Sequence, residues 1–337
     1  MSKKRFSICG VGVSAGERKT IMLPVARMYD FTSLEIPVHV IRGKERGPTL
    51  FLSSALHGDE INGVEIIREV IRNPALGKLK GTLVAIPVVN IFGFQNKSRY
   101  LPDRRDLNRS FPGSKHGSLA ARIAHLFLKE IVSKCTHGID FHTGPVHRSN
   151  LPQIRASLDD EKTREFARAF RPPILVDSKM RDGSLREAAR KKKVNILLFE
   201  GGQALRFENE VIDIGVQGTL SAMDHIGMID LNPQSQRVST TEAHDSFWLR
   251  APHSGTVRMR AKLGSYVKKG ETVALILDLL GETQIEMTTP EDGVVIGINE
   301  LPLVTLGEAV LHLATIEKLN KRELAKRGFV YSRPDID

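Results

Sequence analysis

The sequence predicts an α/β fold, a mixed sheet flanked by helices, followed by a small all-β, barrel-like unit. Three observations carry this reading. Up to about residue 202, short apolar runs alternate with segments of helical period. Three of the apolar runs lead into a histidine or a carboxylate, at His57, His142 and Glu200, and an open α/β sheet places its functional groups at such strand ends. Beyond residue 246, glycines recur at 255, 264, 270, 281, 293 and 307 between short β-type runs.

The elements follow in order. Residues 36–42 alternate as a strand, and 49–56 form an apolar, buried one. Ile61, Val64, Ile67 and Ile71 have helical spacing, so 60–72 reads as a helix. Residues 81–90 are a further strand, with Pro87 near its end. The stretch 91–116 is irregular and arginine-rich, and a loop of that length in a compact domain is usually functional. Residues 117–134, 160–170 and 184–193 read as helices, and 137–142 and 194–202 as strands. The expected division is a catalytic domain at 1–230, a linker at 231–245, a β domain at 246–316 and a tail at 317–337. A short helix is expected at 317–327.

The 337 residues carry a formal net charge of +10, with 41% hydrophobic and 26% charged residues, a globular balance. The absence of a long apolar run argues against a membrane span. The basic start, MSKKRFSICG, holds too short an apolar stretch for a signal peptide. Cys9 and Cys135 make no disulfide framework, so a reducing cytoplasm is expected. The basic clusters at Arg190–Lys193 and Lys318–Arg327 lack an aromatic platform, which argues against nucleic acid. A homo-oligomer is left open.

Two motifs near the N-terminus are decoys. Gly12-Val-Ser14-Ala-Gly16 has the pattern of a nucleophile elbow, and Gly10-Val-Gly12 with Ala15 imitates a dinucleotide fingerprint. Both chemistries need a helix next. The following residues, up to Pro24, read as a strand.

His57 and Glu60, three residues apart after a strand, can converge on one point. His142 ends a second strand. Two histidines and a glutamate with an open fourth position form the donor set of a catalytic zinc site. Asp59 is assigned to orienting a ligand or the loop. Four arginines lie between Ser98 and Arg109, and guanidinium groups match carboxylates bidentately. Arg155 is a candidate for a second anion contact. Glu200, at the end of a buried strand and beside Gly201 and Gly202, is a partly desolvated carboxylate suited to proton transfer.

His57-Gly-Asp-Glu60, Asp106-Leu-Asn108-Arg109 and Asp140-Phe-His142, in that order and with Phe111-Pro-Gly113 following the second, resemble the succinylglutamate desuccinylase/aspartoacylase family, relatives of the zinc carboxypeptidases. The resemblance spans roughly residues 20–225. It implies a zinc-carboxypeptidase-like sheet and one zinc per chain on His57, Glu60 and His142. It further implies a carboxylate grip by Asn108 and Arg109, a carbonyl-polarising Arg99 and a general base at Glu200. The spacing from Arg99 to Asp106-Leu-Asn-Arg is two residues longer than in the aspartoacylases, which leaves Arg104 or Arg105 as substitutes. The expected activity is a zinc-dependent deacylase acting on a small N-acyl amino acid or amine that bears a carboxylate. The alternatives are a carboxypeptidase and a non-catalytic binding protein.

Residues 251–257 and 289–295 look like two halves of one quasi-repeat, similar to the biotinyl/lipoyl carrier fold. Glu282 stands where a carrier has its lysine, and a carboxylate cannot form the amide to lipoate or biotin. The unit is therefore read as a cleft wall or assembly surface.

Overall fold

The computed structural model describes residues 6–231 and 240–316. Four parallel strands form the centre of a thirteen-stranded sheet: Asn195–Gln203, His137–Gly144, Glu45–Ser54 and Lys80–Ile86. Antiparallel strands Ser33–Arg42 and Arg18–Arg27 extend it on one side. On the other side it continues through Arg148–Ala156, Gly293–Asn299, Ala309–Thr315 and Asp245–Arg250.

Central strands are apolar on both faces because both are covered. Phe51, Val84 and Ile86 belong to one core, with Ile123, Phe127 and Ala188 from helices Leu119–Glu130 and Leu185–Lys191. Leu50, Leu52 and Leu83 belong to the other, with Ile66, Phe166 and Val216 from helices Asn62–Arg72, Glu161–Phe170 and Asn209–His225. The last helix had no counterpart in the sequence reading. Its buried face includes Gly215, Gly218 and Thr219, which do not look like an apolar stripe. The two glycines let it lie close to its neighbours, since a Cβ there would meet Ile66 at 2.3 Å or Phe170 at 2.2 Å.

The expected mixed sheet flanked by helices and the C-terminal all-β region are both present. The two N-terminal motifs sit on a hairpin, Phe6–Ile8 with Val11–Val13, and strand Arg18–Arg27 follows without a helix. The expected linker differs from the structure in its last part. Thr241–Ala243 is a strand, paired in parallel with Ile174–Asp177. The β region is also not separate. Part of it forms a four-stranded sheet of Gln284–Thr288, Thr272–Leu277, Gly255–Met259 and Leu303–Val304, and the rest continues the main sheet. The helix expected at 317–327 and the tail lie outside the described residues. Both cysteines are free. No helix among the described residues is long and apolar enough to cross a membrane.

Candidate active site

Strand Glu45–Ser54 delivers the chain to a turn at His57-Gly58-Asp59-Glu60, and helix Asn62–Arg72 starts after it. Gly58 is required there, because a Cβ would lie 1.9 Å from the Gly93 carbonyl carbon. His142 comes from the neighbouring strand, whose next neighbour carries Glu200 directly opposite His142.

Two imidazoles and a carboxylate meet inside the protein. His57 Nδ1 lies 2.7 Å from Glu60 Oε1, and His142 Nδ1 lies 2.7 Å from Glu60 Oε2. The two Nδ1 atoms are 3.2 Å apart, and all three side chains are buried. Each imidazole has a carboxylate behind it. His57 Nε2 faces Asp106 Oδ1 at 3.1 Å, and His142 Nε2 faces Asp140 Oδ2 at 2.8 Å. Asp140 is itself held by the Ser53 hydroxyl at 2.6 Å. A carboxylate at Nε2 holds the proton there, so in the neutral ring Nδ1 is a bare lone pair. In that tautomer two lone pairs and a carboxylate face one another. Burial alone would lower the pKa of both histidines, but Glu60 with Asp106, and Asp140 with Glu60, raise them overall. Burial would raise Glu60, yet the two histidines hold it well below the usual carboxylate range. The cluster has the chemistry of a site that demands a cation, and the donor set fits zinc.

Arg99 lies beside this cluster. It donates to Glu60 Oε1 and to Asp106 Oδ2, both at 3.0 Å. Arg104 and Arg105 do not line the cavity. Arg104 sits in a left-handed turn (φ 58°), and Arg105 is exposed next to Asp103. Asp59 Oδ1 is buried without a hydrogen-bond partner among the described residues. Burial and the nearby Glu60 raise its pKa.

A cavity of about 430 Å³ opens from the cluster. Asn108, Arg109, Arg155 and Glu200 all line it, with His57, Glu60, Arg99 and His142. Asn108 Oδ1 accepts from the Leu185 N–H at 2.9 Å, which holds it at the N-terminus of helix 185–191. Arg109 donates to the Asn108 carbonyl at 2.6 Å. Asn150 Nδ2 donates to Glu200 Oε2 at 2.8 Å.

The far side of the cavity holds residues the sequence reading did not select. Arg181 and Arg186 join Arg155, and Trp248 and His312 arrive from the C-terminal region. Arg186 is buried and donates to the Lys179 carbonyl and the Ser178 hydroxyl, while its other terminal nitrogen has no partner among the described residues. Burial and the Arg155 guanidinium lower its pKa to about 10. Arg155 Nε is likewise buried without a partner, and Arg155 donates to His312 Nδ1 at 3.2 Å. Burial, together with Arg155, Arg181 and Arg148, pushes the His312 pKa down to about 3. His312 stacks on Trp248 with ring centroids 4.5 Å apart, and Arg148 lies over the indole at 5.0 Å. A signal for two of these was present. Arg186 lies among Leu185, Ala188 and Ala189 on a helix face, and His312 interrupts an apolar strand.

Known proteins share this architecture. The chain is 25% identical over 295 residues to an N-alpha-acetyl-L-2,4-diaminobutyric acid deacetylase of Halomonas elongata, covering 83% of this chain and 86% of that one. A succinylglutamate desuccinylase/aspartoacylase structure from Rhodobacter sphaeroides matches with a TM-score of 0.81 and 25% identity, over 92% of this chain and 99% of that one. The product-bound structure of the ectoine utilization protein EutE (DoeB) from Ruegeria pomeroyi matches equally well, at TM-score 0.81 and 25% identity, over 94% and 100%. The succinylglutamate desuccinylase/aspartoacylase catalytic domain matches residues 46–226, more than half of the chain. The protein therefore belongs to the succinylglutamate desuccinylase/aspartoacylase family.

Proposed function

We propose that the protein is a zinc-dependent deacylase that hydrolyses the amide of a small N-acyl amino acid. The observation that carries this reading is the buried convergence of His57, Glu60 and His142 beside Glu200, in a cavity lined with arginines. Zinc held by those three residues supplies Lewis acidity, making water more acidic and polarising a carbonyl oxygen. Asp106 and Asp140 keep the two imidazoles in the donating tautomer and orientation. Glu200 takes a proton from the attacking water and returns it to the departing amine nitrogen. Arg99 offsets the negative charge that develops on the carbonyl oxygen, an effect worth about 3 kcal/mol per donor. Asn108 and Arg109 hold the substrate carboxylate. The products are a carboxylic acid and a free amino acid.

Arg155, Arg181 and Arg186 line the cavity, and buried nitrogens of Arg155 and Arg186 have no partner among the described residues. We infer that a second anionic group is favoured over a side-chain ammonium such as that of acetyl-diaminobutyrate, the compound named for the Halomonas deacetylase. Against a carboxypeptidase stand Trp248 and His312, whose stacked rings take up cavity space that a peptide would need.

A hydrolysis screen with added zinc tests this. The panel is N-acetyl, N-succinyl and N-formyl derivatives of aspartate, glutamate and diaminobutyrate, with short peptides beside them. Acyl dicarboxylic amino acids are expected to be cleaved best. Turnover of peptides alone overturns the deacylase reading. A preference for diaminobutyrate leaves that reading standing and removes the second anion contact.

A further inference from the structure

Glu200 is held by a residue whose direction depends on the C-terminal region. Strand Arg148–Ala156 is sandwiched between the strand of Glu200 and strand Gly293–Asn299. Its pairing with the Glu200 strand is not regular. Glu200 lies opposite Gln153, whereas Gly202 lies opposite Asn150, so two steps on one strand match three on the other. Such a bulge re-aims side chains. Here it turns Asn150 to the cavity, where Glu200 also points, and the two meet at 2.8 Å. Pro152 lies inside the bulge, where its missing N–H is tolerated.

From Asn150 the register runs on into the C-terminal region. Asn150 pairs with Gly297, Gly297 with His312, and His312 with Trp248. Directly opposite residues share a face. Asn150, His312 and Trp248 line the cavity, and Gly297 is the gap in the row. A Cβ on Gly297 would lie 3.0 Å from Asn150 Oδ1 and 3.1 Å from His312 Cβ. Both are tight contacts, and Asn150 would have to shift.

We propose that Asn150 is the positioning residue of Glu200, and that Gly297, in the C-terminal region, keeps the space that lets it act. The amide bond fixes one carboxylate oxygen of Glu200 and so sets the direction in which the carboxylate accepts a proton. This proposal rests on Glu200 as the proton-transfer group.

Kinetics and a titration test it. Asn150→Ala is expected to lower kcat about ten- to a hundredfold, the range for losing a hydrogen bond to a charged group. KM and zinc content should stay within about twofold of wild type. Gly297→Ala should give a smaller fall in kcat, and Gly297→Val a larger one. Asn150→Asp keeps the shape but sets a second carboxylate against Glu200, which disfavours the charged form. It should move the acidic limb of the kcat/KM profile to higher pH and raise the Glu200 titration seen by carboxyl ¹³C NMR, assigned by its loss in Glu200→Gln. If Asn150→Ala does not fold, Asn150→Asp decides. An unchanged titration, or an Asn150→Ala kcat within about threefold of wild type, overturns the proposal. A shifted titration in a protein that deacylates nothing sustains the contact and removes the deacylase reading instead.

Discussion

The two ends of the cavity are opposite in their electrostatic demands. At the His57 end, each imidazole is backed by a carboxylate, and two ring nitrogens converge on a third carboxylate. At the Arg155 end, guanidinium groups crowd one another, and two buried guanidinium nitrogens find no acceptor among the described residues. Burial acts on both ends, but the partners decide the outcome. Carboxylates raise the two histidines despite burial, whereas guanidinium neighbours deepen the fall of His312. One end is built to receive a cation and the other an anion. On the proposed reading the scissile amide lies at the first and the substrate's second anionic group at the other.

The comparison breaks most sharply at the imidazole end. His142→Ala should lose most bound zinc by elemental analysis, and activity with it. Glu200→Gln should keep the metal and the fold, yet lose roughly 10²–10⁴-fold in turnover. Full metal occupancy in His142→Ala would mean that His142 is not a ligand. A Glu200→Gln enzyme within a few-fold of wild type would remove Glu200 from proton transfer.

The arginine end should respond by substrate. Arg109→Ala is expected to cost about 2–5 kcal/mol on substrates with a free carboxylate, and far less on their amide analogues. Arg186→Gln should weaken acyl dicarboxylic substrates more than monocarboxylic ones, by about tenfold. Equal losses on both members of either pair would assign that arginine to the fold.

How far was this polarity readable beforehand? His57, Glu60 and His142 were legible because strand ends and a three-residue spacing are local properties. Arg99 could not be separated from Arg104 and Arg105, since the left-handed turn at Arg104 is not written in the spacing. Arg186 was hidden by the lysines and arginine after it, which read as a solvated face. His312 and Trp248 reach the cavity through strand register and bulges in the sheet. Those depend on pairing between distant segments, about which a hydrophobic pattern is silent.

The smallest expected effect concerns acid stability. The folded pKa of His312, about 3, lies below the value of about 6.5 for an unfolded histidine. Between those values the unfolded chain binds the proton and the folded chain does not. Stability from this group is therefore complete above about 6.5 and is lost as pH falls towards 3. His312→Gln should flatten the fall in urea midpoint between pH 7 and pH 5, relative to wild type. Parallel curves would mean that His312 is charged in the folded protein.

The strand row from Gly202 to Trp248 also bears on how such proteins can diverge. The matched catalytic domain ends at residue 226, as though the rest were an interchangeable module. Yet strand 293–299 is stitched to residues 148–150, and without it that part of the strand would become a bare sheet edge, while 153–156 stay paired with Ile174–Asp177. Recombination between relatives must therefore preserve the phase of the join. A slip of one residue turns every side chain on the incoming strand to the other face. It would move His312 and Trp248 out of the cavity and take Gly297 away from Asn150. Point substitutions along the row are accordingly the easier evolutionary route to a new acyl or amine preference, and wholesale exchange of the C-terminal region the harder one.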